Sequence, residues 1–189
     1  MKKRLSSEQG RHLLQLARES IGQHLGVSAQ KSPSGLNDPA FQQSCATFVT
    51  LKLAGHLRGC IGNLEPSCSL LESVRTNALS AAFHDHRFRP LNAEEFGQVQ
   101  LEISLLSSAE PLEYRDGAEL VEKLRAGIDG VILQLGKARA TFLPQVWEQL
   151  PEPADFLNHL CQKAGLAASA WQHDHPDIFL YQVLSFKEK

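Results

Sequence analysis

The sequence lacks any apolar run approaching the length of a membrane span, and no apolar segment follows its basic start, Met1-Lys2-Lys3-Arg4. Neither a spanning helix nor a secretory leader is expected from it. It also lacks an excess of positive charge, since 19 Lys and Arg face 21 Asp and Glu for a formal net charge of −2. A nucleic-acid partner normally demands a basic face, so that class is set aside. The four cysteines, Cys45, Cys60, Cys68 and Cys161, make no CxxC pair and no zinc-ligand spacing. Reduced thiols in a cytoplasmic protein fit this better than disulfides, and no tightly bound metal is expected. Internal repeats, low-complexity tracts, a Walker loop and a GxGxxG turn are all missing, which leaves no nucleotide cofactor to expect.

What is present reads as alternating helices and strands. A chain of 189 residues is long enough for one sizeable core or two small lobes. Ser6 to Leu25 carries Leu13, Leu14, Ala17, Ile21 and Leu25 on one helical stripe, with Gly26 as a stop. Residues 28–44 contain Ser32-Pro33-Ser34-Gly35 and Asn37-Asp38-Pro39 and read as a loop. Cys45 to Leu53 is a strand, Ala54-Gly55-His56 a hairpin turn, and residues 57–62 the returning strand. Ser69 to Glu72 opens a helix with Leu70, Val74 and Ala78 inward, and Val99 to Leu105 alternates as a half-buried strand. Asp116 opens another helix, Val131 to Leu135 and Ala140 to Leu143 form a hairpin about Gly136, and Asp155 to Ala164 is amphipathic with Cys161 near its apolar face. Ile178 to Phe186 is apolar on both faces and reads as one buried strand. Without a βαβ rhythm, this order predicts an α+β fold with mainly antiparallel sheets flanked by helices.

Candidate chemistry centres on Leu57-Arg58-Gly59-Cys60-Ile61-Gly62. Regular alternation puts Arg58, Cys60 and Gly62 on one strand face and Leu57, Gly59 and Ile61 on the other, with Arg58 and Cys60 ~7 Å apart. A fixed cation at that range favours thiolate over thiol, and Gly59 and Gly62 leave room for a ligand or another backbone to approach. The competing reading is a structural cysteine under a glycine-bent hairpin. A second cluster, His84-Asp85-His86-Arg87-Phe88-Arg89-Pro90, holds a candidate general base in His86 and a candidate ligand-binding cation in Arg87. Helix ends attract such residues in any case. Glu102, on the polar parity of its strand, reads first as a solvated strand-face residue, and otherwise as an acid-base group or the ion partner of Arg58 or Arg87. His173-Asp174-His175-Pro176-Asp177 reads as a solvated turn rather than a chelator.

The hexapeptide LRGCIG resembles the signature of the AMME chromosomal region domain family. The resemblance runs from about residue 44 to about residue 184, through Arg87-Phe88 and Pro90, Glu102-Ile103-Ser104, Gly127-Ile128-Asp129-Gly130, Phe142-Leu143-Pro144-Gln145-Val146, the Phe156 to Leu166 helix and Trp171. It implies a single domain over residues 1–189, made of two unequal lobes with a cleft between them, the larger lobe containing both termini and the hexapeptide facing the cleft. It also implies an association in microbes with Memo-like and radical S-adenosylmethionine proteins, but no particular reaction. His84 and His86 are not part of the family pattern. Three functional readings follow: an enzyme with Cys60 as nucleophile and Glu102 or His86 as acid or base, Arg58, Gly59, Gly62 and Arg87 contacting substrate; a non-catalytic ligand- or protein-binding module; and a metal-binding redox protein in which His84 and His86 converge with Cys60.

Overall fold

Ser6 starts the first helix because its hydroxyl accepts the Gln9 N–H while the Gln9 side chain accepts the Ser6 N–H, pairing two groups that a helix start leaves open. The computed structural model describes residues 5–27 and 35–188, so the basic start at 1–4 and the 28–34 portion of the expected loop lie outside the described residues. In chain order the elements are α1 (Ser7–His24), β1 (Ala46–Leu53), β2 (His56–Gly62), α2 (Leu70–Phe83), α3 (Ala93–Phe96), β3 (Val99–Leu106), β4 (Glu110–Pro111), α4 (Gly117–Lys123), β5 (Gly130–Leu135), β6 (Ala138–Phe142), α5 (Pro153–Lys163), α6 (Ala170–His173), β7 (Asp177–Tyr181) and β8 (Val183–Lys187). Two compact units divide the chain, one of Met1–Leu106 with Leu184–Lys189 and one of Ser107–Val183.

In the first unit a four-stranded antiparallel sheet is ordered β2-β1-β3-β8, with α1 and α2 packed on one face. The odd positions of β1 and β3, among them Val49, Leu51, Val99, Leu101 and Ile103, point at Leu13, Leu16, Ala17, Ile21, Leu70, Val74 and Ala78. Each large aliphatic side chain so buried contributes about 2 kcal/mol, and their period-2 and period-3.6 spacing put them on matching faces. Ser73 and Asn77 interrupt the apolar stripe of α2. The Asn77 side-chain amide donates to the Thr47 carbonyl at 3.1 Å and to the Thr47 hydroxyl at 2.8 Å, so this buried polarity is satisfied.

The second unit has a four-stranded antiparallel sheet ordered β4-β7-β5-β6. Its core gathers Val131, Leu133, Ile178, Phe156, Leu157, Leu160 and Cys161, and Trp147 stacks on Phe156 with ring centroids 3.8 Å apart. Trp147 also donates its indole N–H to the Asp129 carbonyl at 2.7 Å, which meets the polar demand of a buried indole. The α+β class with antiparallel sheets is thus the observed architecture. One expectation is corrected: Ile178 to Phe186 is not a single strand. The chain breaks at Gln182, β7 pairing in the second sheet and β8 in the first. A segment apolar on both faces satisfies either sheet, and no turn residue marks the break. Among the described residues, no helix is long and apolar enough to cross a membrane.

Candidate functional site

The hexapeptide sits on β2, and its geometry begins at the preceding turn. Ala54 (φ 50°) and Gly55 (φ 82°) both occupy the left-handed region, the form of a primed two-residue hairpin turn, and Leu53 pairs with His56 across it. Counted back from that turn without interruption, Cys60 would lie opposite Val49 and point at the helices. It does not, because the register shifts between Leu51 and Lys52: Lys52 pairs with Leu57 but Leu51 pairs with Gly59, leaving Arg58 as the extra residue of a β-bulge. Cys60 therefore pairs with Thr50 and faces away from α1 and α2.

Gly59 explains why this register holds. A Cβ at Gly59 would stand 2.1 Å from the Ala81 carbonyl oxygen on α2, so only glycine fits where the strand lies against the helix backbone. A one-residue slip would aim Arg58 or Cys60 at that carbonyl. Gly62 is constrained in the same way, since its Cβ would meet the Phe48 ring and the Thr47 carbonyl oxygen, each at 2.3 Å. Of the two approaches left open at Gly59, a ligand or another backbone, its bare Cα receives a helix backbone, while Gly62 receives the Phe48 ring.

Three strands then present a grid on the face away from the helices. Leu57, Lys52 and Gln100 form one cross-strand row, Cys60, Thr50 and Glu102 the next, and Gly62, Phe48 and Ser104 the third. Cys60 and Glu102 thus share a face and a row, with Thr50 between them. The Thr50 hydroxyl donates to Cys60 Sγ at 3.2 Å. Glu102 is 8% exposed, which corrects the solvated reading; it accepts from Lys52 Nζ at 3.2 Å and lies 3.5 Å from Lys187 Nζ, so the expected pairing with Arg58 or Arg87 is corrected to two lysines. The Leu57 assignment is corrected as well, because the bulge places it on the Cys60 face, where it is 44% exposed.

Arg58 acts elsewhere than alternation predicts. Arg58 leaves the Cys60 face at the bulge and binds both Glu95 oxygens, Nε to Oε1 at 3.0 Å and Nη2 to Oε2 at 2.8 Å, and the Arg89 carbonyl at 2.9 Å. Those bonds hold the Glu95 carboxyl below its ordinary value, against the opposing effect of burial. Arg87 is the cation beside Cys60: its Nη2 donates to the Cys60 carbonyl at 3.2 Å. The Phe88 ring is near both guanidinium groups, its centroid 5.9 Å from Arg58 and 5.5 Å from Arg87.

Asp85 anchors this arrangement and was legible in the sequence only as the carboxylate between two imidazoles. Its side chain is buried, accepts the Cys60 N–H at 2.9 Å, and takes Arg87 at 2.9 Å from Nε and 2.7 Å from Nη2. The Arg87 hydrogen bonds, with the backbone N–H groups of Cys60 and Arg87 and the Arg87 charge, hold the Asp85 carboxyl well below the usual carboxylate range against the cost of burial. The same pair raises Arg87. His84 caps α2 through its backbone N–H to the Ser80 carbonyl, and both imidazoles, His84 and His86, are exposed on the turn. Among the described residues no hydrogen bond links His86 to Cys60, and no group of three or more His, Cys, Asp or Glu side chains is gathered to hold a metal ion. His173 to Asp177 also differs from a plain solvated turn: His175 takes φ 47° and stacks on Tyr114 at 4.3 Å, while the Tyr114 hydroxyl donates to the Pro176 carbonyl.

The fold and site together define an α+β protein of two antiparallel sheets, one of which carries a cysteine on its helix-free face with an ion pair bracketing its backbone. The AMMECR1 family model matches residues 14–186, and the chain belongs to that family. It is 35% identical to a protein of Thermofilum pendens over 196 residues, covering 98% of this chain and 92% of that one. It is 38% identical to a protein of Methanothermobacter thermautotrophicus over 186 residues, covering 97% and 96%. A crystal structure of an uncharacterised protein from Pyrococcus horikoshii is similar with a TM-score of 0.84 and 30% identity, covering 100% of this chain and 95% of that one.

Proposed function

We propose that the protein is a cytoplasmic enzyme that acts through Cys60 as a nucleophile on a small-molecule or protein substrate, with Glu102 as the acid-base group in the same row. The observation that carries this reading is the bulge at Arg58, which moves Cys60 from the helix-packed side to a face it shares with Thr50 and Glu102. A hydroxyl donating to the sulfur supplies the hydrogen-bond polarity that a thiolate accepts. The other thiols have different surroundings. Cys161 is fully buried, which raises its thiol above the ordinary value, and Cys45 donates to the Ala46 and Leu106 carbonyls.

A binding module working with Memo-like and radical S-adenosylmethionine proteins is the second reading, and the exposed Leu57 beside Cys60 favours it as an apolar contact for a partner. The metal-redox reading gains no support from geometry, since the carboxylate between the two imidazoles is already spent on Cys60 and Arg87. Alkylation of each cysteine by iodoacetamide, followed by peptide mass spectrometry, tests the first reading. Cys60 should react fastest and Cys161 slowest. If Cys60 reacts no faster than Cys68, the nucleophile reading falls.

A further inference from the structure

The class of ligand at Cys60 follows from what brackets its backbone, and it rests on the reading of Cys60 as the reactive group. β2 is an edge strand, and the Cys60 N–H and C=O point to its outer side, where among the described residues no neighbouring strand takes them. Asp85 and Arg87 stand in for that strand: the carboxylate accepts the N–H at 2.9 Å and the guanidinium donates to the C=O at 3.2 Å. The two partners are unequal in exposure, the Asp85 side chain being 2% exposed and that of Arg87 48%. Asp85 is therefore fully committed inward, whereas Arg87 uses Nε and Nη2, and among the described residues no hydrogen bond occupies its Nη1.

Two neighbouring acids are paired, Glu95 with Arg58 and Glu102 with Lys52 and Lys187. Arg89 is exposed on the same turn as Arg87. A ligand approaching Cys60 from the β2 edge thus meets uncommitted donors and no uncommitted carboxylate among these groups. We infer that the Cys60 site selects a ligand bearing a single anionic group, a carboxylate in the simplest case, received by Arg87, with Asp85 as the positioning residue that aims Arg87 and holds the Cys60 backbone.

The test compares Cys60 alkylation by iodoacetate, which is anionic, with alkylation by iodoacetamide, which is neutral and nearly isosteric. In both, the S–C bond forms as C–I breaks, iodide leaves and the thiol proton passes to solvent. The ratio of the two rate constants should fall about fivefold in Arg87→Gln, the size expected for one half-exposed cation near the reacting centre, and be largely kept in Arg87→Lys. Asp85→Asn should lower the ratio in the same direction by releasing Arg87. A site merely loosened by substitution changes both rates together and leaves the ratio alone. Should a variant fail to fold, the wild-type protein in about 1 M salt, where the screening length is ~3 Å, should show the same fall. A ratio insensitive to both substitution and salt overturns the inference of an anionic ligand while leaving Cys60 as a nucleophile. A Cys60 that neither reagent modifies faster than Cys68 overturns the nucleophile reading instead.

Discussion

Replacing Gly59 with alanine probes the contact that sets the register of the hexapeptide. The new Cβ would lie 2.1 Å from the Ala81 carbonyl oxygen, and close carbon to oxygen contacts settle at about 3.3 Å, so β2 and α2 must part by roughly 1 Å. Neither atom belongs to a side chain that can turn aside. The strain falls on two backbones, and the cost belongs at the upper end of the overpacking range, about 3 kcal/mol. For a chain of this length that corresponds to a fall in Tm of about 6–12 °C. Gly55→Ala is the matched control. Nothing lies within 4 Å of its added Cβ, but φ is +82°, so only the left-handed backbone penalty of about 1 kcal/mol applies. Urea unfolding followed by circular dichroism, with the slope m compared across variants, measures both. Tryptophan fluorescence is the wrong probe, because Trp147 and Trp171 both lie in the Ser107–Val183 unit. If Gly59→Ala loses no more stability than Gly55→Ala, the close approach of β2 to α2 does not set the register.

Arg87→Ala should destabilise the protein by about 2–3 kcal/mol at neutral pH, because it strands the buried Asp85 carboxylate, whereas Asp85→Asn should cost only about 1 kcal/mol. Since Asp85 is held below its unfolded value, its contribution is complete above about pH 4 and is lost as pH falls from there; the Arg87→Ala deficit should shrink over that window, and equal deficits at pH 7 and about pH 3 would contradict the assignment. Burial first, with the charges of Asp177 and Cys161 adding, pushes Tyr114 up to about 12, and burial also takes Tyr181 up to about 12 against its hydrogen bond with Thr141. These are the chain's two tyrosines, so ultraviolet titration of the native protein should show no phenolate step near the ordinary value of about 10. Their contribution to stability, present below that value, should be lost as pH rises through about 12. Ala54→Asn should raise stability by about 0.5–1 kcal/mol in the same urea assay, because asparagine tolerates the left-handed backbone that Ala54 adopts at φ 50°.

Local pattern was enough to place most elements. The Ser69 cap, the apolar stripes of α1, α2 and α5, and the alternation of β1 and β3 are each encoded within a few residues, and a period or a cap is a property of neighbours along the chain. The hexapeptide likewise identified the family and drew attention to Cys60 without any three-dimensional information. Which way Cys60 faces was a different matter. The two-residue turn at Ala54-Gly55 argues for one register, and the contact of Gly59 with Ala81, more than twenty positions away in sequence, enforces another through a bulge at Arg58. Because side chains alternate with period two, that single extra residue reassigned Leu57, removed Arg58 from the Cys60 face and delivered Thr50 to the sulfur. Asp85 shows the same limit: a buried carboxylate on an edge-strand N–H is set by where β2 ends up beside the turn after α2, not by its histidine neighbours. The break at Gln182 was invisible for a related reason, since a strand apolar on both faces carries no mark of which sheet will hold each half. Periodicity and capping are written residue by residue, but register, ion-pair choice and sheet membership are decided by segments that meet only when the chain is folded.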